Sequence, residues 1–134
     1  MITLSAGSTT LALDPDLYWA DEFQWAATAQ SIQRSLTGAL IVHTAAKIKG
    51  RPISLVPPDD QSAWMTRATL EKLQEWEADP ALTLELVLRG KNYNVVFRRH
   101  DGEPIEARPV EFVSNPLPGE LGDWFLVTIR LMEI

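Results

Sequence analysis

Alternating hydrophobic and polar positions dominate the C-terminal third of the chain and predict a run of β-strands. Residues 82–88 alternate and lead into Arg89-Gly90-Lys91-Asn92, after which residues 93–97 are again strand-like. A second reversal at 100–103, with an Asp-Gly pair, precedes another β-prone run at 105–113. Short turns rich in Gly, Asn and Asp between such runs are typical of β-hairpins. The pattern therefore predicts a β meander built on two tight turns.

Weaker alternation in the N-terminal half predicts further strands separated by turns. Residues 9–13 form a short predicted strand that ends at Asp14-Pro15-Asp16. The segment 17–25 concentrates four aromatic and two acidic residues, and its spacing does not decide between an extended segment and a wide loop. Other β-prone runs lie at 30–36 and 39–44, with Gly38 as a turn or bulge between them, and at 51–56, which ends at Pro57-Pro58.

One stretch, residues 63–78, has helical periodicity. Its apolar residues lie three or four positions apart and would form a single stripe: Met65, Thr69, Leu70, Leu73 and Trp76. Asp60 or Ser62 would cap the first turn, so the start is open by a few residues. Pro80 ends the helix, because proline disfavours helical geometry in the residue before it.

The order of these elements predicts the fold class. A loop rich in Pro and Gly at 114–123 precedes a final strand at 124–134, in which residues 125, 127, 129 and 131 face one way. Several strands, one helix and four more strands suit a mainly β fold. We expect residues 1–134 to form one domain, a β-sandwich or split β-barrel with a single flanking α-helix.

Composition restricts the class of protein. The chain has 134 residues and a formal net charge of -6, which disfavours a surface that neutralises nucleic-acid phosphates. Cys is absent, so disulfides and thiolate metal sites are excluded, as is typical of a protein made in a reducing cytoplasm. No apolar run reaches the ~18–20 residues of a membrane span, and residues 1–7 do not have the pattern of a signal peptide.

Residues capable of catalysis are present but are not arranged in a recognisable motif. His43 and His100 fall in separate elements, so we expect no metal site. The acids in segment 14–22 are more simply surface acids in turns than the paired carboxylates of a glycosidase. Neither a nucleophile elbow nor a glycine-rich phosphate loop occurs. We therefore expect no catalytic residues, no cofactor and no enzymatic activity.

Basic and aromatic residues instead indicate contacts with other chains. Arg98 and Arg99 form a small basic cluster with Arg89 and Lys91, which we expect to pair with acidic groups of this chain or of another subunit. The chain has five Trp. Core or interface packing explains most of them, whereas Trp19 and Trp25, if exposed, would be anchors in a contact surface.

Seven segments of the chain share a pattern with a known family: residues 19–25, 30–31, 36–40, 49–55, the helix from Trp64, 88–97 and 105–107. Together they resemble small tail proteins of long-tailed bacteriophages, of the distal-tail or tail-tip type. The resemblance implies a fold related to tail-tube proteins and a virion structural protein that forms a ring, commonly a hexamer, joining the tail tube to the tail tip or baseplate. It implies assembly in the host cytoplasm, other tail proteins as partners, and DNA that at most passes through the lumen.

A ring subunit needs strand edges, projecting loops and complementary charge. The candidates are the final strand, the loops at 19–25 and 114–123, and the basic cluster opposite acids such as Glu22 or Asp59. The predicted subunit-interface residues are Trp19, Glu22, Trp25, Arg98, Arg99, Leu117 and Trp124.

Three alternatives stay open. The chain would form another ring of the tail, a tube terminator or a baseplate adapter. It would be a carbohydrate-binding module that uses Trp19, Trp25 and Trp64. Third, it would be a small hydrolase that uses Asp21 or Glu22 with His43.

Overall fold

A computed structural model describes residues 2–47, 50–100, 102–111, 114–115, 117 and 121–134. It is mainly β, with 50% of residues in strands and 11% helical, in a sandwich-like arrangement that confirms the predicted fold class. The elements in chain order are β1 Ile2–Ala6, β2 Thr9–Leu13, β3 Tyr18–Trp19, β4 Thr28–Arg34, β5 Leu40–Ala46, β6 Pro52–Val56, β7 Trp64–Thr66, α1 Arg67–Glu77, β8 Leu84–Leu88, β9 Lys91–Phe97, β10 Ile105–Pro109, a short 3-10 turn Leu121–Asp123, and β11 Trp124–Glu133.

The last strand, β11, is the centre of the main sheet. Its first half pairs with β10 on one side and β7 on the other. Its second half pairs with β9 on the first side and β6 on the second. Two strands therefore follow one another along each side of β11. On one side these are β10 and β9, and on the other side they are β7 and β6. The prediction that β11 offers an unpaired edge is wrong, because both of its edges are occupied.

The rest of the sheet extends from the second half of β11. The strand order is β2-β1-β8-β9-β11-β6-β3, and each neighbouring pair is antiparallel. One face of this sheet supplies the core, with alternate residues pointing inward. The most deeply buried large side chains are Leu4, Ile53, Leu55, Leu73, Leu84, Leu86, Ile129, Leu131, Val95 and Val127.

The helix packs its apolar stripe against this core. Leu70, Leu73 and Trp76 are buried, as the periodicity predicts. However, α1 begins at Arg67 and not near residue 63, because the Thr66 hydroxyl oxygen accepts a hydrogen bond from the Thr69 amide at 3.4 Å and so caps the helix. Trp64 and Met65 consequently belong to β7, where they pair with the start of β11.

Only the first turn of the predicted meander forms a hairpin. Strands β8 and β9 meet at a two-residue turn, Arg89-Gly90, in which both residues have positive φ, as a type I′ turn requires. Strands β9 and β10 do not pair with each other, so the second hairpin prediction is wrong. Both lie on the same side of β11, because that strand is long enough to pair with them in succession.

An ion pair fastens β10 to β11. The Nη1 atom of Arg130 donates to Oε1 of Glu106 at 2.7 Å. This hydrogen bond and the positive charge of Arg130 lower the pKa of Glu106 below its ordinary value of 4.5. Because the pKa is lower in the folded state, the pair contributes stability above about pH 4.5, which is lost as the pH falls through the folded pKa. The contribution is small, since the carboxylate is exposed.

We predict that Ile129→Ala lowers the free energy of unfolding by about 2–5 kcal/mol, because Ile129 is 0% exposed at the strand shared by both halves of the sheet. Chemical denaturation of dilute protein measures the change. Ile41→Ala is the matched control: Ile41 lies on β5, where every residue is exposed, and its loss should cost less than about 1 kcal/mol. Equal losses would contradict the central role of β11.

Candidate functional site

Strands β4 and β5 form a ribbon separate from the main sheet. They pair only with each other within the described part of the chain, and every residue of both strands is exposed. Seven residues per strand give a projection of about 23 Å. We call residues 28–46 the arm.

Local hydrogen bonds at the tip explain why the arm forms. The Ser35 amide donates to the Ala39 carbonyl at 2.9 Å, and the Ala39 amide donates to the Ser35 hydroxyl at 3.0 Å. Gly38 has φ +85°, which other residues rarely adopt. The sequence prediction of two strands around a turn at Gly38 is therefore confirmed.

The two faces of the arm differ in chemistry. Directly paired residues of an antiparallel ribbon share a face. One face therefore carries Ile32 opposite Val42 and Arg34 opposite Leu40 near the tip. Of its large apolar residues, Ile32 is 59% exposed, Val42 is 47% exposed and Leu40 is 51% exposed. We call it the apolar face. The other face carries the smaller or more polar pairs Ala29–Ala45, Ser31–His43 and Gln33–Ile41.

An arm of this kind is incomplete in a lone chain. A two-stranded hairpin in water is marginally stable at best, since it buries little apolar surface. Contiguous exposed apolar side chains on a soluble protein mark contact sites. The arm is thus the strongest candidate for a contact surface among the described residues.

A cluster of charged and polar groups fixes the base of the arm to the main sheet. We call it the clamp, and it consists of Asp21, Glu22, Arg51, Ser54, Arg89 and Arg98.

The carboxylate of Asp21 is at the centre of the clamp. It accepts hydrogen bonds from the amide and the hydroxyl of Ser54, each at 3.0 Å. It also lies 3.6 Å from Nη1 of Arg98, whose side chain is only 10% exposed. Arg98 in turn donates to the Ser54 hydroxyl at 2.9 Å. The segment that enters the arm is therefore bound to β6 and to the end of β9.

A second part of the clamp holds both ends of the arm. Arg51, which follows the arm in sequence, donates to the backbone carbonyl of Glu22 at 2.7 Å. The carboxylate of Glu22 is bound by Arg89 at the turn between β8 and β9. The Arg51 guanidinium also stacks 4.4 Å from the ring centre of Trp19. The entry and exit of the arm are consequently linked to each other and to the sheet.

Charge is distributed very unevenly between the arm region and the rest of the chain. Residues 23–58 include the arm and contain four of the 12 basic residues, Arg34, Lys47, Lys49 and Arg51. They contain none of the 18 acidic residues. The arm itself carries one basic residue, Arg34, and no acidic residue, whereas the whole chain has a net charge of -6.

The predicted interface residues occupy different environments. Trp19 is 6% exposed and lies in the core, where its Nε1 donates to the Pro52 carbonyl at 3.2 Å. Trp19 is predicted to be a contact anchor only if it is exposed, and it is not. Trp25 is half-buried, with the Lys47 ammonium 5.4 Å from its ring centre. Leu117 is 66% exposed, and Trp124 is half-buried at the start of β11.

The charged members of that set pair within their own chain. Glu22 and Arg98 belong to the clamp, and Arg99 binds the carboxylate of Glu77 at 3.0 Å. The expectation of acidic partners is met, but these partners lie on the same chain. Contact of any of the seven residues with a neighbour stays a prediction. Within the predicted loop at 114–123, positions 116 and 118–120 lie outside the described residues.

The residues of the carbohydrate-binding and hydrolase alternatives lie in different environments. Trp19 is buried and offers no face to a sugar ring. Among the described residues, no hydrogen bond or ion pair joins His43 to Asp21 or Glu22, and no group of three or more His, Cys, Asp or Glu is placed to hold a metal ion. No helix in the described ranges is long and apolar enough to cross a bilayer.

The arm is the feature that sequence reasoning missed. Its alternation is that of an ordinary strand pair, so nothing in the pattern distinguishes it from strands of the core. The absence of acidic residues from 23–58 was the available indication. Comparison of the chain with protein-family models, with curated proteins and with solved structures finds no match.

We predict that Asp21→Ala lowers the free energy of unfolding by about 2–4 kcal/mol, because it removes the carboxylate that accepts two hydrogen bonds from Ser54 and lies beside the buried Arg98 guanidinium. Glu77→Ala removes the carboxylate that binds Arg99. Because Glu77 is more exposed than Asp21, this change should cost less than about 1 kcal/mol. Denaturant titration of both variants measures the difference. A loss in Asp21→Ala no larger than that in Glu77→Ala would show that the clamp does not hold the segment.

Proposed function

We propose that this chain is a structural subunit that assembles with copies of itself into a closed ring, and that the ring belongs to the tail of a long-tailed bacteriophage. The observation that carries the proposal is the arm, a ribbon with an exposed apolar face and no further partner strand among the residues that the structure describes. The resemblance of the sequence to distal-tail and tail-tip proteins supports the choice of assembly.

Ring formation follows from an interface between two different surfaces. When an arm binds the body of the next copy, each subunit both gives and receives one contact. Such head-to-tail contacts close into a ring when the rotation between subunits closes after a whole number of copies. The clamp supports a fixed rotation, because its hydrogen bonds hold Asp21 to Ser54 of β6 and Arg51 to the carbonyl of Glu22.

In this role the ring lies at the distal end of the tail and connects the tail tube to the tip or baseplate. Six copies are the number that the resemblance favours. Its partners are the tail tube, the tape measure and the hub or baseplate proteins, and the finished location is the virion. The net charge of -6 suits a channel along which DNA passes without binding. A tube terminator or a baseplate adapter would use the same construction.

We predict that the purified protein forms closed oligomers and that Val42→Asp converts them to monomers. Val42 lies on the apolar face and is 47% exposed, so a charge there is harmless to the isolated fold but opposes burial against a neighbour. Sedimentation velocity reports the size, and thermal denaturation reports the fold. Gln33→Asp adds the same charge to the opposite face and should leave most of the assembly intact.

Electron microscopy provides the second part of the test. Negative-stain images of the oligomer should show rings, and antibodies against the protein should label the distal end of phage tails. A wild-type protein that is monomeric at high concentration and is absent from virions would refute the proposal.

A further inference from the structure

We propose that strand β5 of the arm adds to the free edge of β2 in a second copy of the chain, an inference that rests on the proposed self-assembly. The arm is thereby assigned its binding site on the neighbour. Main-chain hydrogen bonds hold such an added strand, and side chains select its position.

The choice of β2 follows from comparing the open edges of the main sheet. Strands β3 and β7 are two and three residues long, too short to receive a seven-residue strand. Strand β10 has five residues but ends in Pro109 and carries Glu106 and Arg108, features that block pairing at an edge. Strand β2, Thr9–Leu13, also has five residues and contains neither proline nor charge. It is the open edge best suited to pairing among the described strands.

The register of β2 shows which backbone groups are free. A two-residue turn joins β1 to β2, with Ala6 opposite Thr9. In a hairpin of this type the closing pair is hydrogen-bonded and the next pair is not. The amides and carbonyls of Thr10 and Ala12 therefore point away from β1, toward the open edge. Both residues are exposed.

Strand β5 offers the matching set of groups. The Lys47 amide donates to the Ala27 carbonyl at 2.8 Å, so residues 27 and 47 form a hydrogen-bonded pair. Hydrogen-bonded and non-hydrogen-bonded pairs alternate from there along the ribbon. The backbone groups of Leu40, Val42 and Thr44 consequently point outward, away from β4. The strand has no charged residue or proline and is rich in β-branched and apolar side chains.

The surroundings of the β2 edge are complementary to the arm. Asp14 and Asp16 follow β2 directly, and no described residue forms an ion pair with either. A groove of about 250 Å³ at that end of β2 is lined by Trp64 and Trp124. The groove would receive an apolar side chain from the arm, and the acids would face the basic residues that surround the arm in the neighbour.

The decisive experiment mixes two blocked variants of the full-length chain. Val42→Pro removes an outward amide of the arm and Ala12→Pro removes an outward amide of β2, each without removing an internal ladder bond. Each variant alone should be monomeric. An equimolar mixture should form a 1:1 heterodimer and nothing larger, because one intact arm and one intact edge remain. Native mass spectrometry counts the copies, and circular dichroism verifies the fold.

Ala107→Pro is the matched control. Like Ala12→Pro, it replaces an alanine at an open edge of the sheet. The Arg130 amide donates to the Pro104 carbonyl, and the Val110 amide donates to the Trp124 carbonyl. Because hydrogen-bonded pairs alternate along β10 and β11, the backbone groups of Ala107 point away from β11. Assembly of this variant should equal that of the wild type. Assembly blocked by Ala107→Pro and not by Ala12→Pro would place the arm on β10 and overturn the proposal.

The outcomes separate the two proposals. A wild-type chain that stays monomeric overturns both. A wild-type chain that assembles, combined with an Ala12→Pro variant that assembles equally well, overturns only the docking site.

If a proline variant does not fold, cysteine pairing tests the same contact, because the chain has no Cys of its own. Ala12→Cys is mixed in turn with Leu40→Cys, Val42→Cys and Thr44→Cys. One of these pairs should form an intermolecular disulfide. Failure of all three pairs, with assembly retained, would contradict the contact.

Discussion

Pairing of β11 with four other strands is the constraint on which the rest of the structure depends. The ten-residue strand joins β10 and β7 at its start to β9 and β6 at its end. Its inward residues Val127, Ile129 and Leu131 are fully buried, so both sections of the sheet share one core. Because β6 and β9 are fixed to β11, the groups at their surfaces are fixed as well. The positions of Ser54 on β6 and of Arg98 after β9 follow directly from this pairing.

Those two residues connect the core to the arm. Ser54 pairs with Arg130 of β11, and the Arg98 amide donates to the Arg130 carbonyl at 3.0 Å. The clamp is therefore attached to the central strands of the sheet, and Asp21 precedes the first residue of the arm, Thr28, in the sequence. Charge pairs and hydrogen bonds thus join the chain segments on either side of the arm to the sheet.

Open edges of the sheet are treated differently from one another. Proline and charged residues protect β10, and short length protects β3 and β7, in the way that soluble proteins limit uncontrolled pairing. Strand β2 lacks such protection, and the arm is also a ribbon with free edges. Two unprotected elements in one chain are a liability for a monomer but are complementary in an assembly. The acid-free composition of residues 23–58 agrees with an arm that meets an acidic neighbour and not another arm.

The sequence by itself determined most of the local structure. The Arg89-Gly90 turn, the tip around Gly38 and the stripe of Leu70, Leu73 and Trp76 depend on residues close together in the chain, and all were predicted. Helix α1 begins later than expected because Thr66, and neither Asp60 nor Ser62, caps it, and residues 64–66 before it pair with β11 as strand β7.

Only the tertiary structure decided which strands are central, which are edges and which leave the body. Alternation reports that a strand has two unlike faces and says nothing about what lies beside it. The strand β11 and the arm strands therefore look alike in the sequence, although one is paired on both sides and the others project. Trp19 was likewise ambiguous until β3 paired with β6 and buried it. The free edge of β2 and the direction of the arm arise from contacts between distant segments, which local patterns do not encode.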